Sequence, residues 1–102
     1  MIQLDIQAIP NQSFNIQIEN ITYEIKIRQG KNAVLIDISQ NETPLILGRM
    51  LTPFTPLIPY QYLTNGGNFY FETQNNELAD YLKFGLSQFL YFVFDRELKN
   101  DR

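Results

Sequence analysis

A chain of 102 residues is the length of one compact domain, and 44% hydrophobic against 19% charged residues gives it a core rather than the composition of a disordered segment. It contains neither cysteine nor histidine, which removes disulfides, thiolate chemistry, zinc fingers and iron–sulfur sites, together with the commonest general base. A net charge of −3, with eight scattered Lys and Arg, argues against a nucleic-acid partner, and no apolar stretch approaches the roughly 20 residues of a membrane-spanning helix.

Met1-Ile2-Gln3-Leu4-Asp5 has no signal-peptide pattern, so the protein is expected to stay where it is made. Ile2, Leu4 and Ile6 alternate with polar residues until Pro10-Asn11-Gln12 breaks the run. Phe14, Ile16 and Ile18 then alternate with Asn15, Gln17 and Glu19. After a tight turn near Asn20, Ile21, Tyr23, Ile25 and Ile27 alternate with Thr22, Glu24, Lys26 and Arg28. A period of two kept this long predicts strands, and the short link predicts an antiparallel hairpin. Gln29-Gly30-Lys31-Asn32 reads as the next turn, Val34 to Ile38 as a strand, Gln40 to Thr43 as another turn, and Pro44 to Gly48 as a further strand. The first half is therefore an antiparallel meander.

Thr52 to Pro59 carries a proline at every third position, which excludes a central strand or a helix interior. The spacing matches a polyproline ligand, but Phe54, Leu57 and Ile58 fit better an extended connection packed across the sheet, with Tyr60, Tyr62 and Leu63 returning to it. Asn65-Gly66-Gly67-Asn68 marks a turn before a strand from Phe69 to about Thr73. Asn75-Asn76-Glu77 caps one or two helical turns, with Leu78, Tyr81 and Leu82 on one side and Gly85 as terminator. The last strand, Phe89 to Phe94, is apolar on both faces: Phe89, Tyr91 and Val93 on one, Leu90, Phe92 and Phe94 on the other. Such a strand needs cover on both sides. The expected fold is mainly β, a small antiparallel β-barrel or sandwich-like meander with one short helical turn, a single domain over 1–94 and a charged, frayed extension over 95–102.

Catalysis has little to work with. Glu19, Glu24 and Asp37 could converge as a carboxylate pair, but most of the acids fall at outward positions, where solvation leaves them unsuited to acid–base work. Ser13, Ser39 and Ser87 lack an activating histidine or a nucleophile elbow, and Gly66-Gly67 is too short for a phosphate loop. The aromatic stretches lack the interleaved basic residues of a single-strand nucleic-acid site. No enzyme, metal or cofactor is expected. Aromatic side chains are enriched at stable interfaces, so the candidate contact residues are Phe54, Tyr60, Tyr62, Phe92 and Phe94.

Five segments in order carry a family likeness: Ser13-Phe14-Asn15-Ile16, Ile21-Thr22-Tyr23-Glu24-Ile25, Pro44-Leu45-Ile46-Leu47-Gly48, Gly66-Gly67 and Leu90-Tyr91-Phe92-Val93. Together they resemble the baseplate plug proteins of contractile-tailed bacteriophages over nearly the whole chain. The resemblance implies a structural part of the virion tail baseplate, synthesised in the bacterial host cytoplasm and without active site or cofactor. Its partners would be hub, tube or spike proteins and further copies of itself, with neither nucleic acid nor membrane. The alternative from the residues is a monomeric β-barrel binding module or inhibitor of a host protein, with a groove lined by Phe54, Tyr60 and Tyr62.

Overall fold

The computed structural model describes residues 1–59 and 66–99. Its strands are β1 (Ile2–Leu4), β2 (Asn11–Ile18), β3 (Ile21–Gln29), β4 (Val34–Gln40), β5 (Thr43–Met50), β6 (Gly67–Thr73) and β7 (Gln88–Phe94), followed by the short helix α1 (Asp95–Lys99). They form two antiparallel sheets, ordered β2-β3-β4-β5 and β1-β7-β6. The architecture is thus the sandwich-like meander expected from the alternation, and no closed barrel forms among the described residues.

Local chemistry sets the meander. Glu19 and Asn20 both have positive φ, 49° and 69°, as do Asn41 and Glu42 at 47° and 73°. Two successive left-handed residues make the hairpin turn whose twist matches the flanking strands. The turn between β3 and β4 closes on Gly30 N–H donating to the Ala33 carbonyl at 2.7 Å. β5 is irregular: its register against β4 shifts on either side of Ile38. Beside the shift, Gly48 at φ 64° donates its N–H to Asp37 Oδ1, while Asp37 Oδ2 accepts from Arg28 Nη1. Asp37, on the interior strand β4, thus ties Arg28 of β3 to the irregular turn of β5.

Alternation then builds the core. Tyr23, Ile25 and Ile27 of β3 and Val34, Ile36 and Ile38 of β4 face Leu4, Phe69, Phe71, Leu90 and Phe92 of the other sheet. Each such side chain contributes about 1.5–3 kcal/mol by leaving water. The Tyr23 ring meets Phe69 edge-on at 5.1 Å and Phe92 at 5.7 Å, and Phe69 meets Phe92 edge-on at 5.1 Å. One side chain from the first sheet is thus wedged between two from the second, in geometry that adds about 0.5–1.5 kcal/mol per ring pair beyond burial.

The proline-rich connection runs along the outer edge of β6. Phe54 N–H donates to the Phe71 carbonyl at 2.8 Å and Leu57 N–H to the Phe69 carbonyl at 3.0 Å. Each donor immediately follows a proline, so the missing proline N–H groups cost no sheet bond. Leu57 and Ile58 are buried in the core, as the sequence suggests.

The segment between β6 and β7 has the expected one or two helical turns, as 3-10 turns over Gln74–Asn76 and Tyr81–Lys83. It departs from expectation in lacking a common apolar side, since Leu78 is 81% exposed and Leu82 61%. Asn75 and Asn76 both sit at φ 56°, a left-handed pair that a right-handed helix cannot contain. The polar groups find another partner in Gln88, which is wholly buried. Its Oε1 accepts from Asp80 N–H at 2.8 Å, and its Nε2 donates to the Leu78 carbonyl at 2.9 Å.

Candidate assembly surfaces

The aromatic strand β7 resolves into two unlike faces. Leu90 and Phe92 point into the core, where Phe92 is 1% exposed. Phe92 therefore has no surface left to offer a neighbour, contrary to its choice from sequence as a contact residue. Both faces of β7 are apolar, so alternation alone could not tell which one turns inward. The pairing decides it: Phe92 lies opposite Phe69 and Leu90 opposite Phe71, and these pairs share the inner face.

The outer face carries Phe89, Tyr91 and Val93, all half-buried, with Tyr70 opposite Tyr91 and Glu72 opposite Phe89. Phe89 and Tyr91 lie 6.3 Å apart. Burial raises the phenol pKa of Tyr70, with the Asp95 carboxylate adding to it, and burial followed by Glu72 raises that of Tyr91. An aromatic centre with an acidic border is therefore built on the β6–β7 surface.

The other contact residues named from sequence are dispersed. Phe54 is 53% exposed at the edge of the same sheet, with φ 62°, a conformation unusual for a bulky side chain. Phe94 is half-buried, its ring 5.1 Å from Phe92 on one side and 4.1 Å from the Arg96 guanidinium on the other. Tyr60 and Tyr62 lie outside the described residues. The groove lined by Phe54, Tyr60 and Tyr62 is therefore not among the described features.

Exposed leucines were not anticipated. Leu78, Leu82 and Leu86 all project from the β6–β7 connection. Leu78 borders an apolar hollow with Val34, Met50, Leu51, Pro53 and Ala79. A usable signal was the Asn75-Asn76 pair, since asparagine tolerates left-handed backbone and interrupts a helix.

The acids do structural work where they are paired. Glu97 takes the Met1 ammonium, Glu19 takes Arg96, Glu77 takes Lys83, and Asp37 takes Arg28. Of the three acids weighed as a carboxylate pair, Glu19 sits apart in the first hairpin turn and pairs with Arg96, whereas Glu24 on β3 and Asp37 on β4 are diagonal neighbours on the outer sheet face, with Asp37 paired to Arg28. Glu24 lines a polar hollow with Asn15, Thr22, Ser39, Asn41 and Glu42, all amides, hydroxyls and carboxylates with no imidazole or thiol to activate them. None of the helices described is long and apolar enough to cross a membrane.

These features define a β-sandwich whose distinctive chemistry is aromatic and apolar surface. The chain belongs to the family described as cyanophage baseplate Pam3 plug gp18, whose model matches residues 1–96. The family is one of structural baseplate proteins of bacteriophages. No curated protein matches the chain.

Proposed function

We propose that this protein is a structural component of a phage tail baseplate, a plug associated with the hub, that works by docking to its neighbours and carries out no bond-making step. The observation that carries the reading is family membership over residues 1–96, which takes in every strand and both sheets. The structure supports it with a half-exposed aromatic face, Tyr70, Phe89, Tyr91 and Val93, bordered by Glu72 and Asp95. Large aromatic side chains inside a polar rim are the composition of a stable protein interface. The complementary neighbour presents an apolar patch with basic residues at its margin, a hub, tube or spike protein in this reading. Phe54 and Phe94, at the edges of the same sheet, extend the contact. Synthesis in the host cytoplasm followed by incorporation into the virion completes the proposal.

Mass spectrometry of purified particles tests it. The protein is expected among the tail proteins at fixed stoichiometry, and deletion of its gene is expected to abolish infectious tails. Intact, infectious particles that lack the protein would overturn the reading.

A further inference from the structure

Each sheet has two edges, and three of these four are managed in ways that stop strands from adding to them. β1 is three residues long and leads into Asp5. The outer edge of β6 is occupied by the N–H groups of Phe54 and Leu57. β5 carries Pro44, the irregularity at Gly48 and the charge of Arg49. Short length, cover, proline, bulges and charge are the devices by which folded proteins protect their edges. β2 has none of them. It runs eight residues, Asn-Gln-Ser-Phe-Asn-Ile-Gln-Ile, in unbroken register with β3 and without a charge or a proline.

The free groups on this edge follow from the register. Ile18 and Ile21 flank the two-residue turn as a hydrogen-bonded pair, so Ile16, Phe14 and Gln12 also bond to β3. The alternation is visible on β3 itself, where Thr22 turns its carbonyl the other way, to Asn41 N–H at 2.8 Å. Ser13, Asn15 and Gln17 therefore aim N–H and C=O away from the sheet, and no described residue supplies them a backbone partner. Cover is also thinnest here. Ile25, Ile27, Ile36 and Ile38 are fully buried, whereas Phe14 and Ile16 on the same inner face are half-exposed.

We propose that β2 is the docking edge for a second copy of this chain, joined antiparallel, β2 to β2, about a two-fold axis at Phe14 or Asn15. A two-fold axis sets a strand against itself, so any charge on it meets a like charge. An uncharged edge satisfies that condition, and β5 with Arg49 does not. Both axis positions keep inner residues opposite inner residues: Phe14 meets Phe14 or Ile16 of the second copy, and the free groups of Asn15 meet those of Ser13 or Asn15. The result is one continuous eight-stranded sheet in which the half-exposed Phe14 and Ile16 are covered. This proposal deepens the assembly reading, and rests on it for the expectation that the chain docks at all, but its test needs the purified protein alone.

Sedimentation equilibrium over a concentration series is expected to show the 12.0 kDa chain moving to twice that mass. Asn15→Pro removes a donor that β3 does not use, a position where an edge strand accepts proline. It is expected to abolish the dimer while circular dichroism stays that of the parent. Asn15→Lys, which places like charges across the axis, is the second variant should the proline unfold the chain. Because the chain has no cysteine, mild oxidation is expected to give a covalent dimer with Asn15→Cys if the axis falls at Asn15 and with Phe14→Cys if it falls at Phe14. A wild-type chain monomeric at every concentration, a dimer that survives both Asn15→Pro and Asn15→Lys, or a trimer or larger ring would each overturn the proposal. None of these results bears on whether the protein is found in particles.

Discussion

At the scale of single residues, Gly67 shows how closely the two core strands approach. A Cβ built there would lie 2.5 Å from the Phe92 ring and 2.7 Å from the Val93 carbonyl oxygen. The ring is wedged among Phe69, Tyr23 and Phe94 and cannot step aside. Gly67→Ala is therefore expected to destabilise the fold by about 1–3 kcal/mol, the usual cost of overpacking a filled core, read as a lower denaturant midpoint at unchanged slope. Unchanged stability would show that β6 can slide relative to β7. The neighbouring Asn68 acts by hydrogen bonding. Its Oδ1 accepts from Ile58 N–H at 3.0 Å and its Nδ2 donates to the Ile58 carbonyl at 2.8 Å, a two-point clamp on the proline-rich connection. In sequence, Asn65-Gly66-Gly67-Asn68 reads simply as turn chemistry; the close approach at Gly67 and the clamp at Asn68 depend on strands distant in the chain.

At the scale of elements, what was legible depends on how local the deciding interaction is. The hairpins β2–β3, β3–β4 and β4–β5 were readable because alternation and turn residues lie within the same short stretch. Leu57 and Ile58 were readable as core for the same reason, whereas Phe54 read both as packed on the sheet and as a contact residue, a choice that its positive φ and exposure resolve only in the fold. The β6–β7 connection depends on a partner outside it. Leu78, Tyr81 and Leu82 have helical spacing, yet Gln88 from β7 binds Asp80 N–H and the Leu78 carbonyl. Gln88→Leu would keep the bulk of the side chain and leave both groups without that partner. A cost of about 1–3 kcal/mol is expected, with faster exchange of the Asp80 amide as the local signature. Equal exchange rates in parent and variant would show that the 3-10 turns hold without the glutamine.

At the scale of the whole molecule, the pairing of the two chain ends and the inner face of β7 are long-range facts that no sequence window contains. Ile2 lies opposite Phe92 and Leu4 opposite Leu90, so the first strand completes the sheet begun by the last two. The aromatic surface was foreseen in kind from the β7 run, while its position passed from Phe92 to Phe89, Tyr91 and Tyr70 once pairing fixed the faces. The junction of the sheets then yields a pH prediction. Burial raises the phenol pKa of Tyr23 above its ordinary 10.0, because an ionised ring would sit between Phe69 and Phe92 away from water. A raised folded-state pKa means the unfolded chain loses the proton first. The stability linked to Tyr23 is thus complete below 10.0 and is lost as pH climbs through the higher folded value. Tyr70 and Tyr91 shift in the same direction from the outer face, so they add to the alkaline loss. The chain has six tyrosines, so Tyr23 is read from the difference in tyrosinate absorbance between the parent and Tyr23→Phe, which is expected to rise in the same step in which the parent loses its circular dichroism. Tyr23→Phe keeps the ring between the sheets and removes the ionisable group, and is expected to move that step to higher pH. If the tyrosinate signal missing from Tyr23→Phe instead appeared in the parent at the ordinary 10.0 with the circular dichroism intact, Tyr23 would not be sealed in the junction.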